Sequence, residues 1–506
     1  MAFPFLSVLG LLPLVGVLLT CLSKPRAAKV LGLVTALVTL AYAAGLIAWS
    51  QGFEQILGEQ VDWLPMIGSS YALNFDGLSL VMVALTVLLV PVVLIAEWRS
   101  DWSADHRLGQ RGFVAMVLLV ECFALFSFLS FDLLLFYIFF EATLIPMYFL
   151  IAGWGGQKGR QAGVKFLIFG LAGGLIMLFA VIGVIALSLG SGDISLNFAD
   201  LSALQFASTP VTKLIFICFF IAFAMKAPMF PVHIWLPDAA EQSSAGTTAL
   251  LVGVLDKLGT FAMIRVCLGV FPEESAWASP VIMIAALVSI FYGAFAAIGS
   301  RNLLRLLAYT SISHFGFIVL GIFAVTSASI SGSIFYMVNH GLATGALFLA
   351  IGYLISRRGS ASLDAYGGVA KIAPLAAGFT LVAGLASCAL PGTSSFVSEF
   401  LVVAGVWSRH PVIAGVAVLG TVVAAVYILR TYQRLMTGEP STEVSQAIDK
   451  DLNWRERIAL IPLVLAFLVL GFWPQPALQV IEPTTQYYMS VAGATDPVSD
   501  LEEGGR

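Results

Sequence analysis

Charge is scarce in this chain. Only 11% of its 506 residues are Asp, Glu, Lys or Arg, against about 25% in a soluble protein, while 59% are hydrophobic. That shortage excludes an ordinary water-soluble globule and implies many membrane-spanning helices. Cysteine is sparse as well. Cys21, Cys122, Cys218, Cys267 and Cys388 are scattered, with no C-x-x-C, so neither a disulfide framework nor an iron–sulfur cluster is expected. No G-x-G-x-x-G follows a strand-like run, which argues against a dinucleotide site, and a second pair of helical histidines for a haem is missing. The net charge of −4 comes with no basic patch, so nucleic acid is not an expected partner. Basic residues are also absent ahead of the first apolar run, MAFPFLSVLGLLPLVGVLL, and follow it at Lys24, Arg26 and Lys29. A cleavable signal has the reverse order, so this run reads as a retained first helix.

What is present is a succession of apolar runs of about 20 residues, the length that crosses a bilayer. They predict an all-α polytopic membrane protein of about 14 transmembrane helices. The spans are 3–22, 28–48, 76–96, 112–130, 132–152, 162–188, 212–236 (interrupted), 246–270, 280–299, 303–323, 331–355, 372–407 (interrupted), 411–436 and 457–473. Most of the 25 basic residues then fall in loops on one side. These are Lys24, Arg26 and Lys29; Arg99, Arg107 and Arg111; Lys158, Arg160 and Lys165; Arg301 and Arg305; Arg357, Arg358 and Lys371; and Arg430, Arg434, Lys450, Arg455 and Arg457. The other side holds only Lys213, Arg265, Arg409 and Arg506. The positive-inside rule puts the basic loops in the cytoplasm and both termini outside. Residues 49–75 carry Glu54, Glu59 and Asp62 and no Lys or Arg, and the tail after Trp473 is polar and acidic, ending DLEEGGR.

Two predicted helices are punctuated alike. One reads AMKAPMFPVHIWLPDA, with Pro228, Pro231 and Pro237; the other reads ASCALPGTSSFVSEFL, with Pro391 and Gly392. Proline removes a backbone donor, which a membrane tolerates only where the backbone faces protein or water. Each break falls in the fourth helix of a five-helix block, 112–270 and 280–436. Five is odd, so the second block runs inverted relative to the first. Inverted repeats with matched broken helices mark ion and substrate transporters. The remaining segments are three helices in 1–111, and a cytoplasmic loop, a last transmembrane helix and a polar outer tail in 437–506.

Glu141, Lys226, Lys257, His314, His340 and Glu399 lie near the middle of these spans. At 1.5 Å per residue each is roughly 15 Å deep, near the midplane of a core about 30 Å thick. A charge there costs about 2.5–3.5 kcal/mol even on a lenient scale. Six such groups at one depth form a row along the membrane plane. Glu, Lys and His each bind and release a proton, so the row reads as a proton path. Bland readings compete: snorkelling for Lys226, a static pair with Asp256 for Lys257, satisfied core histidines at His314 and His340, and a purely structural role for Glu399. Neighbouring helical residues do not face one another, so Asp256 is expected to meet a different helix. Glu121, in LLVECFALF, is a seventh buried acid. A Glu and a Lys about 4 Å apart attract by about 4 kcal/mol at an effective dielectric near 20, so moving the acid away promotes release of the lysine's proton.

The runs YIFFEATLIPMYFLIAGWG, MKAPMFPVHIWLPDA, LLVGVLDKLGTFAMIR, LLAYTSISHFGF, VNHGLATGALFL and LPGTSSFVSEFL, in this order, resemble the antiporter-like proton-channel subunits of respiratory complex I over roughly residues 70–440. Glu399, where sister subunits and related sodium/proton antiporters carry lysine, points within that family to the subunit M (chain 4) group. The resemblance implies that Glu141 partners Lys226, that Lys257 continues the path, that His314 and His340 bridge the two half-channels, and that Glu399 is the exit group. It further implies a non-redox subunit of the proton-pumping NADH:quinone oxidoreductase, in a bacterial plasma membrane. NADH, FMN, iron–sulfur clusters and quinone would belong to partner subunits, and this chain would bind no cofactor or metal. Its partners would be the lipid bilayer and other membrane-arm subunits, including two sister antiporter-like subunits. The alternatives are a subunit of a multi-subunit sodium/proton antiporter or of a membrane-bound hydrogenase complex. Two departures stand out: DAAEQSSAG replaces the family's D-A-H-x-E-A-P, and Asp256 beside Lys257 is less usual. Together they suggest an actinobacterial type and a differently shaped cytoplasmic mouth.

Overall fold

Lipid offers no hydrogen bonds to a peptide group, so a chain this apolar closes its backbone bonds within helices. The computed structural model describes residues 4–53, 57–99, 109–191 and 194–497; the roles read for Glu54, Arg107, Arg506 and the tail DLEEGGR lie outside the described residues. The first half runs α1 (Phe5–Leu22), α2 (Pro25–Phe53), α3 (Gly77–Ala96), α4 (Gly109–Leu129), α5 (Leu133–Ala142), α6 (Leu144–Gly153), α7 (Gly159–Ser191), α8 (Phe198–Leu204), α9 (Pro210–Lys226), α10 (Leu236–Gln242), α11 (Ala245–Leu250) and α12 (Lys257–Ala262). Wider π turns, Leu251–Leu255 and Met263–Leu268, join α12 to its neighbours. The second half runs α13 (Pro272–Gly299), α14 (Leu303–Ala324), α15 (Ser327–Arg358), α16 (Val369–Ile372), α17 (Pro374–Ser387), α18 (Ser394–Trp407), α19 (Pro411–Met436), α20 (Thr442–Ala447), α21 (Trp454–Phe472) and α22 (Gln475–Val491).

Among the described residues, ten helical spans are each long and apolar enough to cross a membrane. The other four expected spans fall on segmented or bent stretches. These are α9 with the turns to residue 235, the α11–α12 run with its π turns, α17 with α18, and α21, which meets α22 at a 73° bend. Both punctuated helices do stop where the prolines stand. α9 ends at Lys226, and α17 and α18 are separated by residues 388–393, with Gly392 at φ +91°. The freed backbone groups are met locally: Trp235 Nε1 donates to Met225 O (2.9 Å) and Phe230 N to Ser289 Oγ (2.9 Å).

Two elements differ from the sequence reading. Within the acidic loop 49–75, β1 (Gly58–Leu64) and β2 (Ser69–Asn74) form an antiparallel hairpin, paired Gly58 to Asn74 through Leu64 to Ser69. It is anchored by bridges from Leu73 to Ser130 and, next to it, Asp132 to Asn197. The stretch read as part of a polar tail holds α22, which buries Ile481, Thr484, Thr485, Tyr488 and Met489. That i, i+3, i+4, i+7 spacing is one helical face.

Ion pairs tie the helix ends together. At one end Arg305 pairs with Asp238 (2.6 Å) and Glu241 (2.9 Å), and Arg357 with Glu456 (2.6 Å). At the hairpin end Arg265 holds Asp76 through two bonds (2.5 and 2.9 Å) and Tyr488 (3.0 Å).

Candidate functional site: a buried row of titratable side chains

Glycines bring the site's helices together. An added Cβ at Gly259 would strike Ala227 N and Phe223 O, so α12 lies directly on the end of α9. A Cβ at Gly341 would meet Gly253 O at 3.0 Å, so α15 lies against the first π turn. On the far side, Gly332 of α15 and Gly405 of α18 leave room for each other's helix, and Asn339 Nδ2 donates to Ser394 O (2.9 Å) at the break that starts α18. The six predicted groups and Asp256 therefore come from adjacent helices. Glu399 and Lys226 are 6% exposed, and the rest of the second group less: Lys257 0%, His340 2% and His314 4%.

In the first group, Lys226 Nζ donates to Thr143 Oγ1 (2.9 Å) and Phe140 O (3.3 Å) and lies 4.6 Å from the Phe140 ring. This is a cation held by carbonyl, hydroxyl and ring face at the end of α5, where the helix dipole is negative. The span expected over 132–152 is interrupted there, at Thr143, three residues before Pro146. Glu141 makes no ion pair with Lys226 within 4 Å among the described residues. Its carboxyl lies against Gly174 of α7, and its Oε1 has no hydrogen-bond partner. The acid thus lies within electrostatic reach of the lysine without a direct hydrogen bond to it. Asp256 lies within electrostatic reach of both Lys226 and Lys257, with Oδ2 unbonded. It neighbours Lys257 on the same helical run and reaches Lys226 of α9 electrostatically, without an ion pair to either among the described residues. Glu121 is fully buried on α4 with both carboxyl oxygens unbonded, and it joins neither group.

The second group is hydrogen-bonded on either side of two neighbouring imidazoles. Lys257 Nζ bonds Val252 O in the π turn and His340 Nδ1 (2.6 Å), with the Phe315 ring 5.0 Å away. The His340 and His314 rings are 5.5 Å apart between centroids. His314 Nδ1 lies 2.7 Å from Tyr336 OH, Tyr336 OH donates to Glu399 Oε2 (2.9 Å), and Thr421 Oγ1 donates to Glu399 Oε1. His340 therefore precedes His314. With Lys257 protonated, its ammonium only donates, so His340 Nδ1 accepts and its Nε2 carries the hydrogen. An ionised Glu399 only accepts, so Tyr336 spends its hydrogen there and accepts from His314 Nδ1–H, leaving His314 Nε2 bare. Both Nε2 atoms are buried and unbonded, one a donor and the other an acceptor. Sequence reading missed Thr143 and Tyr336, whose hydroxyls carry no charge signal. The i, i+4 spacing of Tyr336 to His340 was the available cue.

Above this row, at the basic end, a cavity of about 370 Å³ opens between Glu97, Ser244, Tyr353, Arg455 and Glu456. Its floor includes the start of α11 and the face of α15, the helices that lead to Lys257 and His340. The departing segment DAAEQSSAG forms α10 and the cap of α11. Burial alone would raise the Asp238 carboxyl, but bonds from Lys165 (2.6 Å) and Arg305 hold it below the usual carboxylate value.

The profile of the family described as NADH:quinone oxidoreductase/Mrp antiporter, TM, matches residues 130–424, and the chain belongs to that family. Individual relatives are narrower in kind. The chain is 44% identical to NADH-quinone oxidoreductase subunit M of Mycobacterium tuberculosis, over 98% of this chain and 96% of that one. It is 35% identical to NAD(P)H-quinone oxidoreductase chain 4 1 of Synechococcus sp. (strain JA-3-3Ab), over 96% and 92%. A chain of respiratory complex I from Thermus thermophilus superposes with a TM-score of 0.87 at 32% identity, covering 97% of this chain and all of that one. A chain of the Mrp complex from Dietzia sp., at 23% identity and a TM-score of 0.83 over 99% of each chain, shares the fold.

Proposed function

We propose that this chain is a proton-translocating membrane-arm subunit of an NADH:quinone oxidoreductase. Electron transfer in partner subunits, which hold NADH, FMN, iron–sulfur clusters and quinone, supplies the energy. Those partners include two sister antiporter-like subunits. The protein lies in a bacterial plasma membrane with both termini on the outer face, and the concentration of basic side chains at the end opposite the hairpin supports that orientation. Residues 112–270 and 280–436 act as two inverted five-helix blocks, flanked by 1–111 and 437–506.

The single observation that carries this reading is the row of proton-binding side chains from Lys257 through His340, His314 and Tyr336 to Glu399, hydrogen-bonded except between the two neighbouring imidazoles. Five of the six groups, Lys226, Lys257, His314, His340 and Glu399, are buried, which costs too much to serve packing alone. In the cycle, the cavity at the basic end admits a proton to Lys257. Lys226 keeps its own proton while Glu141 is near. A shift of the neighbouring subunit parts Glu141 from it, and the changed charge felt through Asp256 pushes the proton from Lys257 to His340, His314 and Glu399, then out. Export against 100 mV costs about 2.3 kcal/mol per charge, less than the roughly 4 kcal/mol of one close Glu–Lys attraction.

Identity of 44% to a subunit M over nearly the full length of both chains and an acid at 399 favour this over a sodium/proton antiporter or hydrogenase subunit. Genes for NADH- and quinone-binding subunits beside this one distinguish the three. The test is Glu399→Gln in inverted membrane vesicles: NADH-driven proton uptake per assembled complex falls on the order of 100-fold, the low end for losing a proton-transfer group. Unchanged uptake rejects the reading.

A further inference from the structure

We propose that the Tyr336 hydroxyl is itself a proton carrier, the group through which His314 and Glu399 exchange a proton. The inference rests on the proton-translocating reading above and adds a residue to it.

The geometry leaves His314 no direct bond to the exit acid. Its Nδ1 meets Tyr336 OH at 2.7 Å, and the same hydroxyl meets Glu399 Oε2 at 2.9 Å. Tyr336 is 1% exposed, and its ring is held edge-on to His314 (5.8 Å between centroids) and tilted to Phe317 (6.4 Å). The hydroxyl has two partners and one hydrogen to place between them. Glu399 is held from its other side by Thr421 of α19, which keeps Oε2 aimed at the tyrosine.

The transfer balances without a charged tyrosine. A proton reaches the bare Nε2 of His314. The hydrogen on His314 Nδ1 moves to the Tyr336 oxygen while the Tyr336 hydrogen moves to Glu399 Oε2. His314 ends as the neutral Nε2–H tautomer, Tyr336 is again a neutral phenol with its new hydrogen directed at Nδ1, and Glu399 is a neutral acid. One proton has entered at His314 and one rests on Glu399. When Glu399 releases it outward, the hydroxyl turns back to the carboxylate, and before another proton enters the His314 imidazole must reorient to return an N–H to the tyrosine side. A phenol ionises only near pH 10 in water, so the two hydrogen movements are coupled and no phenolate stands alone. The hydroxyl's direction then records whether Glu399 is empty or loaded.

The experiment compares Tyr336→Phe, Phe317→Leu and Glu399→Gln in the whole complex, in inverted vesicles. NADH-driven proton uptake is measured per assembled complex, so a change in assembly does not confound it. Tyr336→Phe keeps the ring and removes only the oxygen; uptake falls at least tenfold. Phe317→Leu loosens the same packing and leaves uptake within twofold of the parent. Uptake within twofold for Tyr336→Phe, or an equal fall for Phe317→Leu, overturns the role of the hydroxyl. If Glu399→Gln also pumps normally, the proton-translocating reading fails instead; a dead Glu399→Gln beside a normal Tyr336→Phe removes Tyr336 alone.

Discussion

The two lysines are solvated alike but connected differently. Each ammonium sits on a carbonyl exposed by an irregular turn, Phe140 O or Val252 O, and each has a phenylalanine ring within 5.0 Å. Lys226 makes no hydrogen bond to another titratable side chain among the described residues, and its acid Glu141 lies against Gly174 within electrostatic reach. Lys257 continues through His340 toward Glu399. The first region can change state by moving one carboxylate, whereas the second is a fixed track of donors and acceptors. A pump needs both: a charge that moves, and a path whose proton affinity that charge controls. Asp256, in reach of both lysines, is the element through which one region feels the other.

This contrast can be broken from either side. Lys257→Met cuts the track at its head, so NADH-driven uptake per assembled complex falls on the order of 100-fold. Glu141→Gln removes the moving charge and leaves the track whole. Uptake falls about tenfold, with proton exchange along the track still measurable when a pH step replaces NADH. Equal losses under both drives would merge the two regions into one. Gly341→Ala pushes α15 off the π turn and separates Lys257 from His340, lowering stability by about 1–3 kcal/mol through overpacking; the thermal midpoint of the purified complex reads it. The smallest effect concerns the mouth. Asp238, one-third exposed, is held below its usual value by Lys165 and Arg305, so its contribution is present above about pH 4 and is lost as pH falls through the lowered value. Asp238→Asn therefore costs less than about 1 kcal/mol at pH 7, and the difference vanishes in strong acid.

Much of this was legible because lipid makes charge conspicuous. Glu141, Lys226, Lys257, His314, His340 and Glu399 each break an apolar run, and the structure gathers them from neighbouring helices. Prolines at 228, 231 and 391 marked the helix breaks for the same reason. Less visible were features whose residues suit an apolar helix. Tyr336 and Thr143 look like packing until a partner on another helix is seen, and the π turns around Lys257 leave no mark in LLVGVLDKLG. The hairpin 58–74 is mostly exposed on β1, so its alternation was too weak to separate from a loop. The polar side of α22 hid the face built on Ile481 and Tyr488.

The central claim, that protons pass along this buried row, is tested most directly by a density map of the assembled complex that resolves water. Ordered water joining Glu141 to Lys226, and bridging the unbonded Nε2 atoms of His340 and His314, is the expected result. Tight apolar packing between those groups, with no hydrated link to either face, would contradict it.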